Sequence, residues 1–346
     1  MYAPPGAEDR PQTAFRAAEK KYKLTLNEKF RTASNGRRRG GRFEATPVDL
    51  SVVVDVSASA NNSIPGVTLA HADDETGCKV YAFDAHPGFY YVSRALSEEE
   101  QRTWVRKSVR ELCEPPARTN YGAELGELPP GLWDAACEDL MLLDGDGVRT
   151  WGKPARVIKR GDGEEKFFAR RMLSKLRWAT VGAPFNWTSR LYEPNVPRRA
   201  IGEDLVRLTR RIASLPPESW SYEAQAGLVN FYQPGDTLNA HVDDAERNLD
   251  RPIVSISLGC CGIFLLGQEN IDAEPTAMMV RSGDAVILGG ESRKCYHGVP
   301  RVFASHEGDD ARFALPPALR PDAWDDQALA QYISHTRINI SIRDID

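Results

Sequence analysis

Apolar and polar residues alternate without a break over Arg337-Ile338-Asn339-Ile340-Ser341-Ile342-Arg343. A period of two predicts a β-strand with unlike faces: three isoleucines on one side, Arg337, Asn339, Ser341 and Arg343 on the other. Shorter apolar runs precede it at Gly227 to Tyr232, Ile253 to Leu258, Gly262 to Leu266, Ala277 to Val280 and Ala285 to Leu288. Gly, Pro and Asp separate them, and Ser282-Gly283-Asp284 marks a tight turn. Many short strands with long-range returns predict a jelly roll.

Upstream the period lengthens to that of a helix. Ser97 with Glu100 three residues on forms a capping box, and Trp104, Val105, Val109, Leu112 and Cys113 recur at helical spacing until Pro115-Pro116. A second helix is predicted from Pro130 to Leu142 with Trp133 and Leu140 inward, and an amphipathic one from Ile201 to Leu215. His86 to Val92 reads as a turn and a short strand. Residues 1–75 read as a flexible N-terminal arm, and 303–330, rich in Asp, Ala and Pro, as a surface insertion. The fold class expected is α+β. A helical extension with a basic segment (76–175) precedes a strand-rich part (176–346).

Composition narrows the class. The 346 residues are 41% hydrophobic and 27% charged, as in an ordinary globular chain, and no apolar run is long enough for a bilayer. Met1 to Arg10 lacks an apolar signal core, so a nuclear or cytoplasmic location is expected, with a mitochondrial one left open by Arg10 and Arg16. The six cysteines form no Cys-x-x-Cys pair, which argues against a zinc knuckle. The net charge of -5 gives nucleic-acid binding no overall support, so any such case rests on local patches. Two stand out: Arg37-Arg38-Arg39-Gly40-Gly41-Arg42, and a stretch from Arg149 to Arg177 that includes Lys159, Arg160, Arg170 and Arg171. Each suits either a solvated surface or phosphate contacts.

Candidate chemistry begins at His241-Val242-Asp243. In an extended strand, i and i+2 share a face, which sets an imidazole beside a carboxylate. Such a triplet also suits a strand end with a solvated Asp. A second histidine would complete the two-His, one-carboxylate set of non-haem Fe(II) oxygenases, and His297 is the candidate. On the last strand, Arg337 and Arg343 stand about 20 Å apart along the backbone at ~3.3 Å per residue. If that strand is buried, both guanidiniums need an anion, and their long side chains could converge on a small dianion. If it is a wet edge strand, they do not. Aromatics at Trp178, Phe185 and Trp187, beside Asn186, suit either a core or a base-stacking pocket.

These residues resemble the AlkB family of Fe(II)- and 2-oxoglutarate-dependent dioxygenases. The matching pieces are Asn230-Phe231-Tyr232, His241-Val242-Asp243, Pro252 to Gly259, Ile263-Phe264, Ser282-Gly283-Asp284, Ser292-Arg293, His297 and Arg337 to Arg343. Pro87-Gly88-Phe89, Leu176-Arg177-Trp178 and Pro275 to Met278 point to its AlkB homolog 1 branch. The resemblance implies a double-stranded β-helix catalytic core over 176–346, whose first part (about 176–225) is a nucleotide-recognition lid. It implies Fe(II) on His241, Asp243 and His297, and 2-oxoglutarate held by Asn230, Tyr232, Arg337, Asn339 and Arg343. It also implies a methylated base against Trp178, Phe185, Asn186 and Trp187. With O2, the expected reaction removes N-methyl groups from adenine in DNA or tRNA, releasing formaldehyde, succinate and CO2. No membrane or obligate protein partner is expected, and the state expected is a monomer. A binding module without turnover, a tRNA 5-methylcytosine dioxygenase and an abasic-site lyase are the alternatives on this scaffold. Two departures, Ala245 and the cation-free loop Gln268 to Asp272, stand where bacterial members carry base-facing residues.

Overall fold

The computed structural model describes residues 12–32, 38–57, 63–159, 163–186, 189, 191–193, 196, 200–305, 307 and 310–346, and of 26–32 and 38–44 it describes the backbone. The helices are α1 (Ala14–Tyr22), α2 (Glu98–Lys107), α3 (Gly122–Leu125), α4 (Leu132–Cys137), α5 (Ala169–Lys175), α6 (Glu203–Ala213) and α7 (Gln327–Ile333). The strands open with a hairpin, β1 (Leu26–Thr32) and β2 (Arg38–Ala45), followed by β3 (Val67–Asp73), β4 (Cys78–Phe83) and β5 (Phe89–Ser93). Two more hairpins and a strand intervene: β6 (Met141–Gly145) with β7 (Val148–Gly152), β8 (Trp178–Gly182), and β9 (Phe185–Asn186) with β10 (Leu191–Tyr192). The last part holds β11 (Ala226–Tyr232), β12 (Leu238–His241), β13 (Ile253–Gly259), β14 (Gly262–Leu266), β15 (Thr276–Val280), β16 (Ala285–Leu288), β17 (His297–Val302) and β18 (Arg337–Arg343).

Two antiparallel sheets face each other. The major sheet runs β3-β4-β5-β16-β13-β18-β11-β8 and the minor sheet β12-β17-β14-β15. Beyond the β3-β4-β5 run and the β14-β15 pair, neighbouring strands are not consecutive in the chain, and the two facing sheets make the jelly roll expected from the strand pattern. The alternation in β18 is used as predicted. Ile338, Ile340 and Ile342 are fully buried in the core that the major sheet shares with the helices, beside Trp104, Val105 and Ile212. Its other face, with Arg337 and Arg343, looks toward the minor sheet. β18 lies between β13 and β11 and is buried along its whole length, so the wet edge strand is excluded. A second apolar core between the sheets contains Phe89, Tyr232, Phe264, Leu266 and Val299.

Local signals were read correctly where they were strong. The Ser97 hydroxyl accepts from the Glu100 amide at 3.2 Å, and the Glu100 carboxylate accepts from the Ser97 amide at 2.8 Å. Three expectations fail. The helix predicted from Pro130 to Leu142 stops at Cys137, and Met141 starts a hairpin whose turn uses positive φ at Asp146 and Gly147 (50° and 79°). Residues 303–330 are not a surface insertion, for Leu315, Ala318, Leu319 and Trp324 enter the helical core. Nor do the described parts of residues 1–75 form a flexible arm. α1 buries Phe15 and Tyr22 against the outer side of the minor sheet, and the amide of Val54 donates to the Ala277 carbonyl at 2.8 Å.

Candidate metal centre

β12 and β17 pair so that His241 stands opposite His297. Opposed residues of antiparallel strands share a face, so both imidazoles enter the space between the sheets, with ring centroids 4.3 Å apart. A Cβ at Gly298 would lie 2.8 Å from the Leu238 carbonyl oxygen, so glycine next to His297 allows this close approach. β12 ends at His241, and Asp243 follows just beyond it. Its two carboxylate oxygens lie 3.8 Å from His241 Nε2 and 3.8 Å from His297 Nε2. One donor atom from each of the three residues falls within 4.8 Å of the other two. His297 opens a fully buried strand.

Each histidine is oriented by a backbone carbonyl. Nδ1 of His241 lies 3.0 Å from the Asn239 oxygen, and Nδ1 of His297 lies 3.2 Å from that of Cys295. An Nδ1–H donated there leaves each Nε2 as a lone-pair donor toward the centre. Burial, reinforced by His241, lowers the His297 pKa to about 4, so that ring is neutral near pH 7. Burial alone would raise the Asp243 carboxyl. The Arg343 guanidinium and the two imidazoles outweigh it and hold that carboxyl well below its ordinary value. Two imidazoles and one carboxylate are a donor set suited to a divalent first-row metal with open positions.

The polar face of β18 lies beside this cluster. Arg337 is 3% exposed and donates through Nη2 to Ser257 Oγ at 3.0 Å, while its Nε and Nη1 are buried without partners. Its guanidinium sits 5.3 Å from the Tyr232 ring centroid, and desolvation lowers its pKa. Burial raises the Tyr232 phenol to about 12, which keeps it a neutral donor. Arg343 differs. Nη1 lies 3.0 Å from Glu246 Oε1 and 3.3 Å from Asp243 Oδ2, so this cation is already paired inside the protein and does not need an outside anion. Asn339 and Asn230 are opposed in register, and the Asn230 amide donates to Asn339 Oδ1 at 3.5 Å. Asn339 itself donates to Ser255 Oγ at 2.8 Å and to the Ile256 carbonyl at 3.0 Å.

Sequence reasoning missed the group that ties this together. Glu246 is buried, and its carboxylate takes Arg343 on one oxygen and Arg293 Nη2 on the other at 3.1 Å. Arg293 also donates to the Asp243 carbonyl at 3.0 Å. The Tyr192 hydroxyl donates to Glu246 at 3.0 Å, and the Tyr192 ring lies 5.2 Å from that of Phe185. The only signal was position: Glu246 stands three residues past Asp243, on a segment with no periodic pattern.

The expected base-contact residues are less concentrated. Trp178 pairs with Asn230 across β8 and β11 and so shares the inner face of the major sheet. Phe185 and Asn186 are half-buried in the β9–β10 hairpin, where the Asn186 amide donates to Glu193 at 3.0 Å. Trp187 and Arg160 lie outside the described residues. Several cations of the basic segment meet acids. Arg170 meets Asp139 at 3.0 Å, Arg149 Asp144 at 3.4 Å, Arg156 Glu164 at 3.2 Å and Lys166 Glu124 at 3.0 Å, while Lys159 and Arg171 are exposed.

Residues 149–343 match the 2OG-Fe(II) oxygenase superfamily. The DNA N(6)-methyladenine demethylase ALKBH1A of Arabidopsis thaliana is 36% identical over 350 residues, 98% of this chain and 98% of that protein. The tRNA demethylase abh1 of Schizosaccharomyces pombe is 30% identical, covering 77% of this chain and 82% of its own length. The nucleic acid dioxygenase ALKBH1 of Homo sapiens is 30% identical over 77% of this chain and 66% of its own.

Proposed function

Because the chain belongs to the 2OG-Fe(II) oxygenase superfamily, as a dioxygenase of its AlkB homolog 1 branch, we propose that it oxidatively demethylates N-methylated adenine in nucleic acid. The substrates in this reading are N6-methyladenine in DNA, N1-methyladenine in tRNA, or both, in keeping with the names of the Arabidopsis and fission-yeast relatives. The observation that carries it is a buried guanidinium with two unpartnered N–H atoms, Arg337, beside a His-Asp-His cluster. An unpaired buried cation is costly, and a carboxylate-bearing co-substrate is what satisfies it.

His241, Asp243 and His297, whose donor atoms lie within 4.8 Å of one another, would hold Fe(II). Fe(II), 2-oxoglutarate and O2 together supply the oxidising power that hydroxylates the N-methyl carbon, with release of CO2 and succinate. The protein's own part is positional. Arg337 and the neutral Tyr232 phenol would take a carboxylate of 2-oxoglutarate. Asn230 would add an amide on the same face of the major sheet, and Asn339, whose own amide is held by Ser255 and the Ile256 carbonyl, would orient it through Oδ1. Arg343 sets the charge and orientation of Asp243, with Glu246 and Arg293 behind it. Trp178, Phe185 and Asn186 line the approach of the methylated base. The N-hydroxymethyl product then loses formaldehyde.

The test is a substrate panel of methylated DNA and tRNA, scored for succinate, formaldehyde and product nucleosides by mass spectrometry. Loss of the methyl group from DNA or tRNA, stoichiometric with succinate, is expected, and Asp243→Ala abolishes it. Succinate formation with no nucleic acid losing a methyl group sinks the reading.

A further inference from the structure

α4, α5 and α7 lie far apart in the chain, and between them is a cavity of about 260 Å3. Two aromatic residues, Trp133 and Tyr332, line it together with Arg170, Gln233, Gln331 and Thr336. Their rings meet edge to face, with centroids 5.4 Å apart. Trp133 is 2% exposed, and its Nε1 is buried with no hydrogen-bond partner among the described residues. An indole N–H can only donate, and leaving it dry and unpaired is costly, so the site calls for an acceptor. Gln233 donates to Thr336 Oγ1 at 2.8 Å, which fixes the plane of its amide. Amides of this kind pair with base edges, and aromatic walls take a flat heterocycle. The volume falls just below the ~300–1,000 Å3 of drug-sized ligand sites and suits one base.

Cations and a path to the metal centre adjoin it. Arg171 and Lys175 are four apart in α5, so they share a face, and both are exposed. Their strip runs beside Arg170 and Ser174, which line the cavity. Arg170 meets Asp139 at 3.0 Å in an exposed pair of little strength, which an incoming phosphate can displace. After α5 the chain enters β8, the outermost strand of the major sheet, and Trp178 there shares the inner face with Asn230. A nucleic-acid strand that follows α5 into β8 leads from the cavity over the sheet edge to the space beside the metal centre. Thr336 at the cavity and Arg343 at Asp243 mark the two ends. Seven residues of extended chain at ~3.3 Å each put them about 23 Å apart. That is ~7 nucleotides stacked at ~3.4 Å, and fewer when the strand is drawn out.

We propose that this cavity is a second base subsite. It takes one unpaired nucleobase of the nucleic-acid strand, several nucleotides from the methylated one, which accepts from Trp133 Nε1, while Arg171 and Lys175 contact the phosphates between. This rests on the nucleic-acid reading above and adds a requirement to it: the strand is unpaired at two places. A single-stranded or looped substrate meets that at once, whereas a closed duplex must open a second pair.

The test uses the full-length, iron-loaded chain without oxygen. Fluorescence anisotropy measures its affinity for a single-stranded DNA with one central N6-methyladenine, and for a series in which each flanking nucleotide in turn is abasic. One abasic position, ~3 or more nucleotides from the methylated base, is expected to weaken binding about fivefold or more. Trp133→Phe keeps the ring and removes the N–H. It is expected to bind the intact strand about fivefold more weakly than the parent does, and to bind that abasic strand as the parent does. The variant R171Q/K175Q is expected to weaken intact and abasic strands alike and to lower the slope of log affinity against log salt by about 1 to 2. If no distant abasic position weakens binding, the proposal is overturned. So it is if Trp133→Phe weakens intact and abasic strands equally, because the indole would then act in folding, or if R171Q/K175Q keeps the parent slope. A parent that demethylates no nucleic acid in air, yet shows the abasic position and its loss in Trp133→Phe, keeps the subsite and removes the demethylase reading.

Discussion

Arg337 and Arg343 share one face of β18, yet Arg343 meets two carboxylates and Arg337 meets none. Alternation along the strand announced both cations, but what each one faces depends on Glu246, whose position no periodicity marks. Replacing Arg337 by Met removes charge-assisted bonds of about 1.5–3 kcal/mol each to a bound carboxylate. A rise of about 100-fold or more in the KM for 2-oxoglutarate is expected, while the melting temperature holds or rises because an unpaired buried cation is gone. A KM within twofold of the parent refutes the assignment. His86 is a second case. Burial lowers its pKa from 6.5 to about 4, and its Nε2 lies 2.8 Å from Thr276 Oγ1. The folded state resists its protonation, so its contribution is complete above about 6.5 and drains away as the pH falls from there toward 4. Urea titrations at pH 7.5 and 5.0 are expected to show a smaller stability loss for His86→Gln than for the parent. An equal loss in both removes His86 from the pH response.

At the level of elements, what could be read was whatever carried its own period. β18, β13, β14 and β16 announced themselves, as did α2 with its capping box and α6 with its polar and apolar faces. β17 did not. His297-Gly298-Val299-Pro300 has a glycine and a proline in its first four residues, and only pairing with β12 and β14 makes it a strand. The hairpin β6–β7 was lost to a helical reading because Leu140, Met141 and Leu142 fit either period, and the Asp146-Gly147 turn was not weighed. His241, Asp243 and His297 could nonetheless be grouped by residue type, and the structure brings their donor atoms within 4.8 Å of one another. The load on β18 gives an element-scale prediction. Ile340 is fully buried between β13 and β11. Truncating it to Ala leaves a cavity worth about 2–5 kcal/mol, read as a lower denaturation midpoint at constant m-value. A change below 1 kcal/mol contradicts the packing described.

The whole molecule is more continuous than its sequence suggested. One apolar core joins Trp104 of α2, Trp324 of the 303–330 stretch and Ile340 of the catalytic sheet. Composition hid this. Stretches rich in Asp, Pro and Arg look solvated, and the few aromatics that anchor them, Phe15, Phe313 and Trp324, are too sparse to show a period. No helix among the described residues is long and apolar enough to cross a membrane.

The bond between Glu19 and the Ala240 amide links the first helix to the strand ahead of His241. Coupling of this kind runs both ways, since whatever steadies one partner steadies the other. Loading the apoprotein with ferrous ion under anaerobic conditions should therefore slow deuterium uptake at the amides of Ala14–Tyr22, far away along the chain. Trimming the N-terminus past Tyr22 should in turn weaken retention of iron during dialysis. Uptake in that helix that ignores the metal would mean the two ends of this contact behave independently.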